Sequence, residues 1–251
     1  MAIQITPLSE GVFTIGHDKV FVPFDVQHDE LHQRPTGSLL VEIQPFLVQV
    51  HGYNLLLDTG LGYHLPNGEL QIHANLARHG LQPDDIHMVL MSHLHKDHAG
   101  GIYYTNREGE KQLSFPNAHY YVSRQEFDFA MAKGAPSYVV EDFSELANSA
   151  ATVFLDEQGD IGHFIEYGTV GGHCPYHIVL KIHDGHDLAF FGGDVVPQLR
   201  QLKTKYVTKY DYDGKRSMEL RQQFAQQGKT EGWQFLFYHD VREPVAVLHE
   251  L

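Results

Sequence analysis

The chain of 251 residues carries 18 Lys and Arg against 32 Asp and Glu, a net charge of −14, with 19 His and one Cys. Cys174 alone permits neither an internal disulfide nor a Cys₄ or Cys₂His₂ zinc module. The acidic balance argues against a general nucleic-acid binder, which neutralises phosphates with clustered cations, and the length suits one domain over residues 1–251.

The segment Met1–Glu10 has no basic or apolar leader pattern, and no stretch approaches about 18 uninterrupted apolar residues. The expectation is a cytoplasmic protein without a membrane span. Short apolar runs predict strands over Gly11–Ile15, Pro45–Val50, Asn54–Asp58, Met88–Ser92, His119–Val122, Thr152–Leu155, Ile161–Tyr167, His177–His183, Asp187–Gly192 and Trp233–Tyr238. Helical periodicity predicts Gln71–His79, Arg124–Lys133 and Arg216–Gln226. Phe21–Gly37 reads as a long surface loop, whose His28 and His32 are either plain surface histidines or part of a cover over a site. No internal repeat or linker divides the chain. Many short strands with few helices predict two packed sheets with outer helices.

The strongest local signal is Met91-Ser92-His93-Leu94-His95-Lys96-Asp97-His98. A strand continuing through it would place His93 and His95 on one face, since side chains two apart point the same way. A following turn would fold Asp97 and His98 back toward them. Imidazole and carboxylate suit zinc and comparable divalent ions. Three later segments add to the set: His173 in a turn before a strand, Asp194 just past Phe190-Phe191-Gly192-Gly193, and His239 at the end of Phe235-Leu236-Phe237-Tyr238. Apolar strands that each deliver a ligand at one end imply a shared rim and a shared metal site.

These residues, with Leu55-Leu56-Leu57-Asp58-Thr59-Gly60 before them, resemble the metallo-β-lactamase superfamily of hydrolases, in the family's order from about residue 45 to 240. The resemblance implies an α+β fold, a four-layer αββα sandwich, with a dinuclear metal centre along one sheet edge. His93, His95 and His173 would hold one divalent ion, Asp97, His98 and His239 the other, and Asp194 would bridge them. Zinc is the foremost candidate, and manganese, iron and cobalt accept the same ligands. A hydroxide between the two metals would attack a carbonyl or phosphorus centre. Asp97 and Asp194 are the catalytic candidates, Asp97 as ligand or also as proton relay. Asp58 matches the acid that orients ligand imidazoles, although an Asp before Thr59-Gly60 also suits a plain turn. His177 is either a similar support or a buried structural His. Cys174 reads as a small packed side chain.

Departures from relatives narrow the branch. Secreted β-lactamases of this fold carry Cys where Asp194 stands. Glyoxalase II-like thioesterases add a helical domain after the last metal His, and only 12 residues follow His239. Flavodiiron enzymes need a flavodoxin domain, and RNA-processing members use basic exosites. The expectation is therefore a lactonase- or esterase-like hydrolase of a small-molecule ester or lactone, such as an acyl-homoserine lactone. Phosphotriesterase or thioesterase activity stays open, as does a non-hydrolytic metal-binding or redox role. Oligomeric state is open too, a homodimer being one option. Quorum-quenching lactonases often place a Tyr three residues after the bridging Asp; here that position is Pro197, and Tyr206, Tyr210 or Tyr212 would have to stand in.

Overall fold

The computed structural model describes residues 2–106 and 108–248. The N-terminal half runs β1 (Gln4–Pro7), β2 (Gly11–Ile15), β3 (Phe21–Pro23), β4 (Leu39–Ile43), β5 (Phe46–Val50), β6 (Tyr53–Leu57), α1 (Gln71–Arg78), β7 (Met88–Leu90), α2 (Lys96–Ala99), β8 (Tyr103–Thr105), β9 (Lys111–Leu113), β10 (His119–Ser123), α3 (Arg124–Lys133) and β11 (Thr152–Leu155). The C-terminal half runs β12 (Gln158–Ile161), β13 (Ile165–Thr169), β14 (Ile178–His183), β15 (Leu188–Phe191), α4 (Leu199–Leu202), α5 (Gly214–Glu231), β16 (Gln234–Leu236) and β17 (Val245–Val247).

Two six-stranded sheets form, ordered β1-β5-β6-β7-β10-β11 and β12-β13-β14-β15-β16-β17. Side chains alternate between the faces of a strand, and here both faces are covered, so the central strands read as unbroken apolar runs. Leu55 and Leu57 of β6 point into the space between the sheets, where they meet Leu180, Phe191 and Leu236. Leu56 faces outward with Val89 and Tyr120, against Ile72 and Leu76 of α1 and Phe127 of α3. On the second sheet, Phe190 and Phe235 face outward onto Leu220 and Phe224 of α5 and onto Trp233. The result is the predicted αββα layering. A smaller sheet, β3-β2-β4, and the hairpin β8-β9 flank it. Among the described residues no helix is long and apolar enough to cross a membrane.

Helix α3 has its predicted bounds, with the Ser123 hydroxyl capping it by accepting from the Glu126 N–H. Helix α5 outruns the predicted Arg216–Gln226 at both ends: Asp213 caps it two residues earlier, accepting from the Arg216 N–H at 2.9 Å, and it runs on to Glu231, where Gly232 in the left-handed conformation (φ 71°) ends it. The predicted strand Ile161–Tyr167 is interrupted by the turn of the β12-β13 hairpin: Ile161 ends β12 and Ile165–Tyr167 begin β13, but between them Gly162 and His163 sit at φ of 61° and 63°, left-handed values that no strand accommodates. The predicted loop 21–37 begins as strand β3, paired with β2.

Candidate metal centre

Strands β6 and β7 run parallel and end level with one another, as do β15 and β16. The residues just past these ends meet at one edge of the sandwich. Asp58 follows β6 in a left-handed conformation (φ 57°) that turns its carboxylate back under the next loop. Strand β7 stops at Leu90, so His93 and His95 lie in a loop and not on a strand. They still converge, because the chain stays extended up to His95, the residue before α2, and the single turn of α2 then swings Asp97 and His98 inward. Contacts with Thr59 clamp this turn. The His98 carbonyl accepts from the Thr59 N–H (2.7 Å) and hydroxyl (2.8 Å), and a Cβ on Gly101 would lie 2.1 Å from the Thr59 carbonyl oxygen. Only glycine permits that approach.

All seven sequence-predicted ligands come together. His95 Nδ1 lies 3.0 Å from His93 Nε2 and 2.9 Å from His173 Nε2. His239 Nε2 and His98 Nε2 lie 3.5 and 3.7 Å from Asp97 Oδ2. Asp194 sits between the two groups. Its Oδ2 is 3.2 Å from His173 Nε2, and its Oδ1 is 3.2 Å from His98 Nε2 and 3.0 Å from His239 Nε2.

The nitrogens facing away from the cluster are anchored, which sets the tautomers. His93 Nδ1 donates to the Ser92 hydroxyl (3.0 Å), which donates to Asp58 Oδ2 (2.7 Å). His98 Nδ1 donates to the same Asp58 oxygen at 2.7 Å, and the Ser92 N–H donates to Asp58 Oδ1. His173 Nδ1 donates to Asp211 (2.9 Å), and His239 Nδ1 donates to the Glu42 carbonyl (2.7 Å). Four Nε2 atoms are thereby left to face the cluster, where a metal would need their lone pairs.

Charge is arranged to match. Burial, with the imidazoles around them, holds His93 and His95 well below the usual histidine range, so they are neutral donors. Burial also opposes protonation of His98, His173 and His239, yet the carboxylates together outweigh it and raise all three: Asp194 at each, joined by Asp97 and Asp58 at His98, Asp211 at His173 and Asp97 at His239. Burial works against the Asp194 carboxylate in turn, and those three imidazoles hold it well below the usual carboxylate range. The cluster draws positive charge toward its centre.

The residues fit divalent ions. His98 Nε2 and Asp194 Oδ1 are buried and make no hydrogen bond, a costly state unless a cation satisfies them. Two ligand groups, His93-His95-His173 and Asp97-His98-His239, each present donor atoms within 4.8 Å of one another. Nitrogens bound about 2.0–2.1 Å from a tetrahedral zinc lie about 3.3 Å apart, close to the spacing seen around His95. Asp58 also lies near His93 and His98, but both its oxygens are already occupied as acceptors, which leaves it the orienting role.

The remaining predicted residues divide. His177 offers its ring to the backbone: Nε2 accepts from the Asp194 N–H at 3.1 Å, and burial holds its pKa down to about 3. It supports the Asp194 turn. Cys174 is buried and donates to Glu126. A cavity of about 590 Å³ opens over the cluster, lined among others by Phe21, His95, Asp97, Asp194, Pro197 and His239. Tyr206 and Tyr210 line it too, whereas Tyr212 is 74% exposed and does not. His28 and His32 lie outside it and are exposed.

Two supporting acids escaped the sequence reading. Asp211 anchors His173 across 38 residues, a separation that leaves no local pattern. Glu126 is buried, accepts from the Leu94 N–H (3.2 Å), the Tyr138 hydroxyl (3.1 Å) and the Cys174 thiol (3.3 Å), and so ties both histidine loops to α3. An acid on the inward face of a helix was the available signal.

Comparison with known proteins identifies the family. The N-acyl homoserine lactonase AttM of Agrobacterium fabrum (strain C58 / ATCC 33970) is 32% identical over 107 residues, 39% of this chain and 36% of that relative's length. The crystal structure of a probable metal-dependent hydrolase from Staphylococcus aureus superposes with a TM-score of 0.77 at 25% identity, covering 98% of this chain and 96% of that one. AidC, a dizinc quorum-quenching lactonase solved with a product, superposes with a TM-score of 0.71 at 18% identity over 99% and 91% of the two chains, a likeness of fold. Residues 42–233 match the family model of the Metallo-beta-lactamase superfamily. With well over half of its length matched and its fold shared, this chain belongs to the metallo-β-lactamase superfamily.

Proposed function

We propose that the chain is a dinuclear metal-dependent hydrolase of small-molecule esters or lactones. The observation that carries the reading is the position of Asp194, whose two carboxylate oxygens face separate histidine groups at 3.0–3.2 Å. His93, His95 and His173 would hold one ion, and Asp97, His98 and His239 the other, with Asp194 shared. Zinc is the foremost candidate. When bound, the ions supply Lewis acidity and a water activated near neutral pH.

The chain's own residues account for the rest. Asp97 lines the cavity and its side chain remains 11% exposed, so its carboxylate is within reach of a leaving oxygen and suited to deliver a proton there. Its backbone is held by the Tyr238 hydroxyl, which donates to the Asp97 carbonyl at 2.6 Å. Pro197 provides no hydroxyl at the position where lactonases often carry Tyr, and Tyr206 and Tyr210 are the phenols available at the cavity wall. The cavity volume suits a small molecule and not a polymer. The likeness to AttM supports an ester-type carbonyl as the target.

The test is a panel of lactones, aryl esters, thioesters and phosphotriesters on reconstituted protein of measured metal content. About two divalent ions per chain are expected, with turnover of a lactone or aryl ester that chelation abolishes and metal restores. Trace metal only after reconstitution, or turnover indifferent to chelation, overturns the reading.

A further inference from the structure

The charge of the cavity wall opposes that of the protein. Within a chain of net charge −14, Lys19, Lys96, Arg200 and Lys205 all line the cavity over the metal centre. Among the described residues the only Lys or Arg ion pairs are Lys111–Glu145 and Lys215–Glu219, both away from it. Among the described residues none of the four cavity cations has a carboxylate within ion-pair distance. The cavity's three carboxylates, Asp97, Asp194 and Asp211, are all engaged with the imidazole cluster.

Two of the cations are half-buried and tied into the wall. The Lys19 ammonium donates to the Ser137 hydroxyl, and the Lys96 ammonium donates to the Lys19 carbonyl and lies 5.5 Å from the Phe21 ring centroid. Every one of these partners lines the cavity and is neutral. Each ammonium has three donors, so each keeps N–H groups for a further acceptor. The two ammoniums repel one another, Asp97 offsets this at Lys19 only from beyond ion-pair distance, and an anion seated between the two lysines removes the repulsion. Ile15, Leu39 and Val41 supply apolar surface on the same cavity.

Resting on the hydrolase reading, we propose that the substrate is an ester or lactone that carries a second, anionic group, a carboxylate on an apolar stem, seated on Lys19 and Lys96. A neutral acyl lactone would leave both ammoniums unanswered. The anion holds the stem along the apolar wall and presents the ester carbonyl to the metal centre.

The test uses the metal-loaded protein and two matched substrates, mono-4-nitrophenyl glutarate and its methyl-capped neutral counterpart. At low ionic strength kcat/KM is expected to favour the anionic ester about tenfold, a preference that shrinks in about 0.5 M salt, where screening shortens the reach of the lysines. Lys19→Gln and Lys96→Gln should each cut the anionic-to-neutral ratio several-fold, and Lys19→Arg should retain it. Equal turnover of the two esters, or a preference for the neutral one, overturns the inference while leaving the hydrolase reading intact. A preference that survives in both Gln variants overturns the assignment to these lysines. Turnover of neither ester, together with a blank substrate panel, overturns the hydrolase reading itself.

Discussion

Asp58 Oδ2 accepts the Nδ1 proton of His98 at 2.7 Å, with both side chains shut off from solvent. The same oxygen takes the Ser92 hydroxyl proton, and Oδ1 takes the Ser92 N–H. One carboxylate thus sets the tautomers of His98 directly and of His93 through Ser92. Every neighbour of Asp58 is a donor. Asp58→Asn would set an amide N–H against one of them, and asparagine tolerates the left-handed backbone, so the change tests hydrogen bonding with little backbone strain. Metal affinity should fall about 10- to 100-fold, measured by chelator competition. Wild-type affinity in Asp58→Asn would contradict the orienting role.

Asp194 should behave differently. Its side chain reaches only the histidine cluster, while its backbone N–H is what holds His177. In Asp194→Ala the architecture should therefore survive, with an unchanged circular dichroism spectrum. Metal content should drop from about two ions to about one, and activity by roughly 100-fold or more. Unchanged stoichiometry would remove Asp194 from the shared position.

What could be read from the sequence tracks how local the physics is. Leu55–Leu57 and Phe190–Phe191 are apolar because both faces of each strand are covered, and that shows as an unbroken run. His93, His95, Asp97 and His98 are close in sequence because one loop and one helical turn deliver all four. Their convergence was legible, but the strand assigned to carry them was not correct, since β7 ends at Leu90. Asp211 could not be found, because its tie to His173 depends on where the segment before α5 falls in space. The turn at 162–164 between β12 and β13 is invisible in one dimension, because Ile161, Phe164 and Ile165 are apolar on both sides of it and continue the pattern of a single strand.

Glu10 gives the fold a pH dependence of its own. Burial pushes its carboxyl up to about 8, against the Leu61 N–H, which favours the charged form, and with the Asp97 charge adding to the rise. Between the unfolded pKa of 4.5 and the folded value, the native state holds a proton that the unfolded chain has released. The contribution is complete below about 4.5 and is lost as pH climbs toward about 8. Glu10→Gln keeps an acceptor for Leu61 and cannot ionise. Relative to wild type, the variant should gain stability from pH 5 to pH 8, by on the order of a few kcal/mol, in denaturant unfolding at matched metal content. Parallel stability curves would show that Glu10 does not titrate in this window.

Asp211 provides the contrast to Asp58. Its Oδ1 accepts from His173 Nδ1 at 2.9 Å, and its Oδ2 is buried with no hydrogen-bond partner. In Asp211→Asn the amide oxygen can still accept from His173, with the NH₂ taking the place of Oδ2, so the tautomer is preserved and only the negative charge behind the ring is lost. In Asp211→Ala the acceptor goes as well, and His173 is free to turn or to change tautomer. Metal affinity should therefore fall about tenfold or less in Asn and further in Ala, toward about 100-fold, in the same chelator competition. Asp58→Asn should be the more severe of the two Asn variants, because Asp58 has donors on both oxygens and Asp211 on one. If the two Asn variants lose affinity equally, charge behind the ring, and not the hydrogen-bond polarity that sets the tautomer, governs how these histidines hold metal.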